Sequence, residues 1–309
     1  MSGHHHHDGT SGGDKRMAWA VAVNLLLTFA QVAGGILSGS LALIADALHN
    51  FSDAVSLLIA YAARKIARKP ADAAMTFGYV RAEIVAALIN YTTLIMIGLY
   101  LVYEAVMRFI TPAPIEGWTI VIVAAIALVI DIVTAMLTYA MSKTSMNIRA
   151  AFLHNVADAL GSVGVIVAGS LVLLYGWVWL DPAVTIAIAA YVLYQAVTEI
   201  GGSIRILMMG APVEVDVAGL LRDLNDVGGI GNVHDLHVFA IDEEHRALEV
   251  HVVMQGSSAA DAAGIRQAVR DLAEERHGIV HCTIEIETEA DRCDKDAQAI
   301  GHSVRSARV

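Results

Sequence analysis

Two short stretches of this chain carry chemistry, and they are copies of one pattern. His49-Asn50-Phe51-Ser52-Asp53 and His154-Asn155-Val156-Ala157-Asp158 each set an imidazole four residues before a carboxylate. On an α-helix that spacing puts both side chains on one face, a turn apart, where they can grip a single ion. Two such helices facing each other supply two nitrogens and two oxygens, a four-coordinate set suited to Zn2+. A lone buried histidine is ordinarily a hydrogen-bonded core residue, and a lone aspartate in a membrane can do no more than pin helices together. The repetition argues for a shared ion.

Charge balance suggests what such a site would do. Two ionised aspartates leave a net −2 that a low-dielectric interior penalises, and one dication or two protons cancel it equally well. Because neutral imidazole binds metal and titrates near neutrality, protons and metal compete for the same groups. The expectation is exchange of a divalent metal for protons by alternating access. Asp46 lies seven residues before Asp53, on nearly the same helix face, and is a candidate proton relay or entrance ligand. Asp131, Asn50 and Asn155, with Asn24 and Gln31, are candidates for groups that orient the ligands.

The elements that hold these residues must be membrane helices. Of 309 residues, 56% are hydrophobic and only 17% charged, far too apolar for an ordinary soluble enzyme. Runs near the length needed to cross hydrocarbon predict six spans, at Met17 to Leu37, Leu41 to Ala63, Ile84 to Tyr103, Trp118 to Met141, Ile148 to Tyr175 and Pro182 to Ile200. The two histidine–aspartate pairs fall in the second and fifth. Asp181-Pro182 reads as an N-cap followed by proline at the first helical position. Lys15, Arg16, Arg64, Lys65, Arg68, Lys69, Arg81, Lys143, Arg149 and Arg205 lie in the ends and alternate loops, which predicts a multi-pass protein of the cell (inner) membrane with both termini cytoplasmic.

The last third is different. Residues 205–309 hold 10 basic and 19 acidic residues, nine of the eleven net negative charges. Periodicity there predicts helix, strand, strand, helix, strand at Val213 to Val227, Val233 to Ile241, Ala247 to Gln255, Ala259 to His277 and Cys282 to Glu287. That order predicts a small α+β, ferredoxin-like domain with helices on one face of a sheet. The expected layout is thus a polar tail at 1–16, an α-helical polytopic membrane domain at 17–204, a cytoplasmic domain at 205–290, to which the family resemblance given below assigns metal binding and dimerisation, and a disordered tail at 291–309. His4 to His7 in the first tail could at best collect metal. Acidity argues against nucleic acid, and two cysteines, Cys282 and Cys293, give no disulfide framework.

Three other functions compete with a carrier. A zinc-dependent intramembrane enzyme needs a general base beside the metal, such as the glutamate of HExxH, and no such motif occurs; nor does a GxxxxGK[ST] loop for ATP. A metal channel or a sensor differs from a carrier in its flux, which is saturable and pH-driven only for the carrier.

At these residues the chain resembles the cation diffusion facilitator family over nearly its whole length. The phrases are GSLALIADALHNFSD at 39–53, TFGYVRAE at 76–83, HNVAD at 154–158, VHDLHVFAID at 233–242, EVHVV at 249–253 and HCTIEIE at 281–287. The resemblance implies six membrane helices, a cytoplasmic ferredoxin-like domain, a homodimer, and export of Zn2+, often with Cd2+ or Co2+, against protons. A histidine at position 49 resembles the zinc-preferring subgroup. It also implies that His234, His251 and Glu287 are cytoplasmic metal ligands, with His237 or His281 as additions. Met75 stands where many relatives place a histidine, which leaves Asp72 a poor loop ligand.

Overall fold

The computed structural model describes residues 25–142, 146–256, 258–290, 292 and 299–301. Among these, the backbone packs as two compact units, one formed by the chain up to Tyr61 with Ile89–Ile200, the other by Ala62–Leu88 with the chain from Gly201 onward.

The first unit is helical. Its elements are α1 (Leu25–Ser38), most of α2 (Leu41–Ala67) and of α3 (Ala82–Ile110), α4 (Gly117–Ser142), α5 (Met146–Tyr175) and most of α6 (Leu180–Leu207). Elements α2 to α6 are each long and apolar enough to cross a membrane. The first expected span starts at Met17, and its part before Leu25 lies outside the described residues, as do His4 to His7 and Asn24. Large apolar side chains such as Leu99, Ile122, Val129, Leu160 and Val167 are exposed, as they must be when the surrounding solvent is lipid. Small residues line the interior: Ala42, Ala45, Ala124 and Ala189 are fully buried or nearly so. A Cβ on Gly98 would come within 2.7 Å of Leu193 in α6, and one on Gly169 within 2.8 Å of Ile120 in α4, so both glycines let helices approach closely.

The turn into α2 corrects one expectation. Asp181 does not cap its own helix, which begins a residue earlier. Its carboxylate accepts the backbone N–H groups of Leu41 (2.8 Å) and Ala42 (3.3 Å) and the Ser40 hydroxyl, so α6 caps α2. Gly39, at φ +71°, makes the turn, and Arg108 donates to its carbonyl at 2.9 Å.

In the second unit, α7 (Val217–Asn225) and α8 (Ala259–His277) pack on a sheet ordered β1 (Ile230–Ala240), β2 (Arg246–Met254), β3 (His281–Glu287). Strand β2 runs antiparallel to β1 and parallel to β3 across the α8 crossover. Ser258 caps α8 by accepting from Asp261 N–H, and Gly278 ends it at φ +64°. The expected order of elements is present. Alternation sorts the sheet's two faces: Val238, Leu248, Val250, Val252 and Ile284 join Leu220, Leu224, Ile265 and Val269 in the core, and the opposite face carries His234, His251, Glu285 and Glu287.

Two further segments attach to the sheet. In the expected disordered tail, Ala299 and Gly301 exchange backbone hydrogen bonds with Leu236 on the free edge of β1, and residues 291, 293–298 and 302–309 lie outside the described residues. Before α3, Arg81 donates to the carbonyls of Ile241 (3.0 Å) and Ala240 (3.1 Å), and Phe77 packs on the His281 ring. Asp72 is consumed within its own loop. It accepts from Ala74 N–H, Met75 N–H and the Tyr79 hydroxyl, and the Met75 bond first among these holds its carboxyl below the usual carboxylate range.

Candidate metal centres

His49 lies in the first third of α2 and Asp158 in α5. The Nε2 of His49 is 3.2 Å from Asp158 Oδ1 and 3.8 Å from Asp53 Oδ2, one turn further along α2. One ligand atom from each residue lies within 4.8 Å of the others. Two ligands, each about 2.0 Å from a tetrahedral zinc ion, are about 3.3 Å apart, so the 3.2 Å separation is that of a tetrahedron's edge and the 3.8 Å one is somewhat longer. His49 is 8% and Asp158 10% exposed, against 29% for Asp53, so the site has its more open side at Asp53. The fourth expected ligand, His154, has its backbone in α5 one turn before Asp158; its side chain lies outside the described residues.

The other predicted polar residues surround this cluster. Gln31 of α1 donates to Asp46 at 2.6 Å and accepts from Asn50 at 3.2 Å, a chain that ties α1 to the histidine face of α2. Asp46 and Asn50 are 3% and 4% exposed, and a carboxylate or amide at that depth is held only by such partners. Asp131 of α4 accepts from Ser162 at 2.9 Å, and Ser162 follows Asp158 by one turn of α5. Asn155 is half-buried beside His154.

One residue at this site had no sequence signal. Tyr191 of α6 sets its ring edge-on to the His49 imidazole, centroids 6.3 Å apart and planes at 84°. A tyrosine in an apolar span reads as ordinary packing, and only the rotation of α6 reveals what it touches.

A second cluster lies on the polar face of the sheet. His251 Nδ1 is 2.9 Å from Glu287 Oε1, and His234 Nε2 is 3.3 Å from Glu287 Oε2. His234 and His251 are register partners across β1 and β2, with ring centroids 5.3 Å apart. The exposed Glu285 lies 3.5 Å from His251 Nε2. His234 is 1% and Glu287 4% exposed, and two imidazoles with one carboxylate at these separations fit a divalent metal. Burial holds the His234 imidazole below its usual range, opposed by the Glu287 charge, which keeps it in the neutral, metal-binding form.

The two proposed additions are not part of the cluster. A bulge at Asp235, φ +48°, puts Asp235 and Leu236 of β1 against Val250 alone of β2, so His237 pairs with Glu249 on the same face as His234. Its Nδ1 nevertheless engages the Asp235 carbonyl at 3.0 Å. His281 starts β3, six residues before Glu287, about 20 Å away along a strand. Cys282 faces the core and Cys293 lies outside the described residues.

Comparison with known proteins gives the family of both units. Residues 17–208 match the cation efflux transmembrane domain, and residues 212–289 match the cytoplasmic domain of cation efflux proteins. The chain belongs to the cation efflux family. It is similar to the cadmium, cobalt and zinc/H(+)-K(+) antiporter of Bacillus subtilis, at 37% identity over 94% of each chain. It is also similar to the metal cation efflux system protein CzcD of Cupriavidus metallidurans, at 34% over 93% of this chain and 90% of the relative. A third relative is the zinc transporter ZitB of Escherichia coli, at 33% over 94% and 93%. Cation efflux proteins are multi-pass membrane transporters, so the alternative of an intramembrane enzyme is set aside.

Proposed function

We propose that this cation efflux protein carries zinc, and with it cadmium or cobalt, out of the cytoplasm in exchange for protons, through a transport site made of His49, Asp53, His154 and Asp158. The convergence of His49, Asp53 and Asp158 from two helices of the first unit carries the reading. The three named relatives support the choice of metals. The two carboxylates need a dication or protons to be stable in a low-dielectric site, and protons arriving from outside displace the metal from the imidazoles. Asp46, with Gln31 and Asn50, and Asp131, with Ser162, orient the ligands and relay protons. His234, His251 and Glu287 hold a resident zinc ion that regulates the cytoplasmic domain, and the protein works as a homodimer.

The test is metal uptake into proteoliposomes with an imposed pH gradient, for the parent, D53A and D158A. The parent should take up zinc in proportion to the gradient, and each variant should lose about a hundredfold or more of the flux. Flux that ignores collapse of the pH gradient would refute exchange. Flux that survives both substitutions would refute the site.

A further inference from the structure

We propose that the C-terminal segment at 299–301 is a positioning element of the cytoplasmic metal site: by pairing with Leu236 it holds the β-bulge that sets His234 opposite His251, so that docking of the segment and binding of a divalent metal strengthen each other. The inference rests on the reading of His234, His251 and Glu287 as a zinc site.

That site depends on a change of register within β1. Before the bulge Val233 pairs with Val252 and His234 with His251; after it His237 pairs with Glu249 and Val238 with Leu248, one residue out of step. If the second register ran through the whole strand, His234 would stand opposite Val252. A slip of one residue turns a side chain to the other face of a sheet. The imidazole would then point into the apolar core under α7 and α8, away from His251 and Glu287. The bulge is what brings this ligand to the polar face.

The bulge needs support from outside the β1–β2 pair. Asp235 sits at φ +48°, a left-handed backbone that a residue with a side chain keeps only under constraint. Neither Asp235 nor Leu236 has a register partner in β2. Leu236 is 1% exposed, and backbone groups at that depth require partners. The C-terminal segment supplies them: Leu236 N–H donates to the Ala299 carbonyl at 3.2 Å, and the Leu236 carbonyl accepts from Gly301 N–H at 3.1 Å, a parallel pairing centred on Ile300. His237 Nδ1, 3.0 Å from the Asp235 carbonyl, holds the other bulge residue. The segment therefore docks two residues from a metal ligand, on the residue that keeps that ligand in register.

The test uses the full chain in detergent, with D53N and D158N removing the transport site from the signal. Zinc affinity is read by competition with a chromophoric chelator, as the binding that His251→Ala abolishes. Two variants undo the pairing: a chain ended after Gln298, and G301P, which lacks the donor and cannot adopt the φ of +73° found there. Each should weaken the affinity by about tenfold or more. Coupling of this kind is reciprocal, so saturating zinc should slow hydrogen exchange of the Leu236 and Gly301 amides of the parent by the same factor, and should not do so in H251A. Affinities equal to the parent's in both variants overturn the proposal. So does exchange at the two amides that zinc leaves unchanged in the parent, a measurement that needs no altered chain. A parent that binds no zinc that His251→Ala abolishes would instead sink the reading of the cluster, and this inference with it.

Discussion

A ligand set of two imidazoles and two carboxylates is neutral only when a dication or two protons occupy it, and every residue-level expectation follows from that count. Replacing His49 by aspartate adds a third carboxylate and removes a softer nitrogen donor. H49D should therefore lose preference for zinc over harder divalent ions, its zinc-to-manganese uptake ratio dropping by about tenfold in vesicle assays. An unchanged ratio would show that His49 does not touch the ion. The histidine–aspartate spacing was legible because four residues is close to one helical turn and both pairs fell inside apolar runs. Tyr191 was not legible, because nothing in the sequence gives the rotation of α6 about its axis. In the cytoplasmic domain, His234, His251 and Glu287 came from the family resemblance and converge. His237 and His281 lie outside that group, since the bulge carries the first, two positions along the sheet, to Glu249 and the second stands at the start of β3.

At the scale of elements, the helix cores were legible and their ends less so. Helix α2 runs to Ala67 and α6 to Leu207, past the expected ends at Ala63 and Ile200. Arg64, Lys65 and Arg205 stop an apolar run, but charged residues do not stop a helix once it has left the hydrocarbon. The cap on α2 was hidden for a different reason: its acceptor, Asp181, is 140 residues away from Leu41 in sequence. D181A should lower the thermal midpoint of the purified protein, by the equivalent of about 1 kcal/mol or more, and an unchanged midpoint would show the cap to be dispensable. Between α7 and α8, the hydrogen bond from His277, at 3.1 Å, holds the Asp223 carboxyl below the usual range, and Arg276 adds to it. A folded value below the unfolded one of about 3.9 stabilises the domain fully above that pH and is lost as pH falls through the folded value. Hydrogen exchange in α7 and α8 of the full chain should accelerate across that acidic window. D223N should flatten the response, and an identical acid profile in D223N would contradict the assignment.

For the whole molecule, composition and charge were the most informative signals. An apolar front with an acidic back is how a membrane carrier with a water-soluble domain must be written, and the two matching family domains meet near residue 210. The tail at 299–301 was the main surprise, since three residues of low periodicity find a partner only because the edge of β1 is open to them. Transport as proposed depends on metal and protons competing for one set of groups. The most direct test is to count protons released when zinc binds to the purified full chain in weakly buffered detergent, with His234→Ala and His251→Ala silencing the cytoplasmic cluster. The account predicts a release of protons on zinc binding that disappears in D53N/D158N. Zinc that binds at this site without releasing protons, or releases as many from the double variant as from its parent, would contradict it.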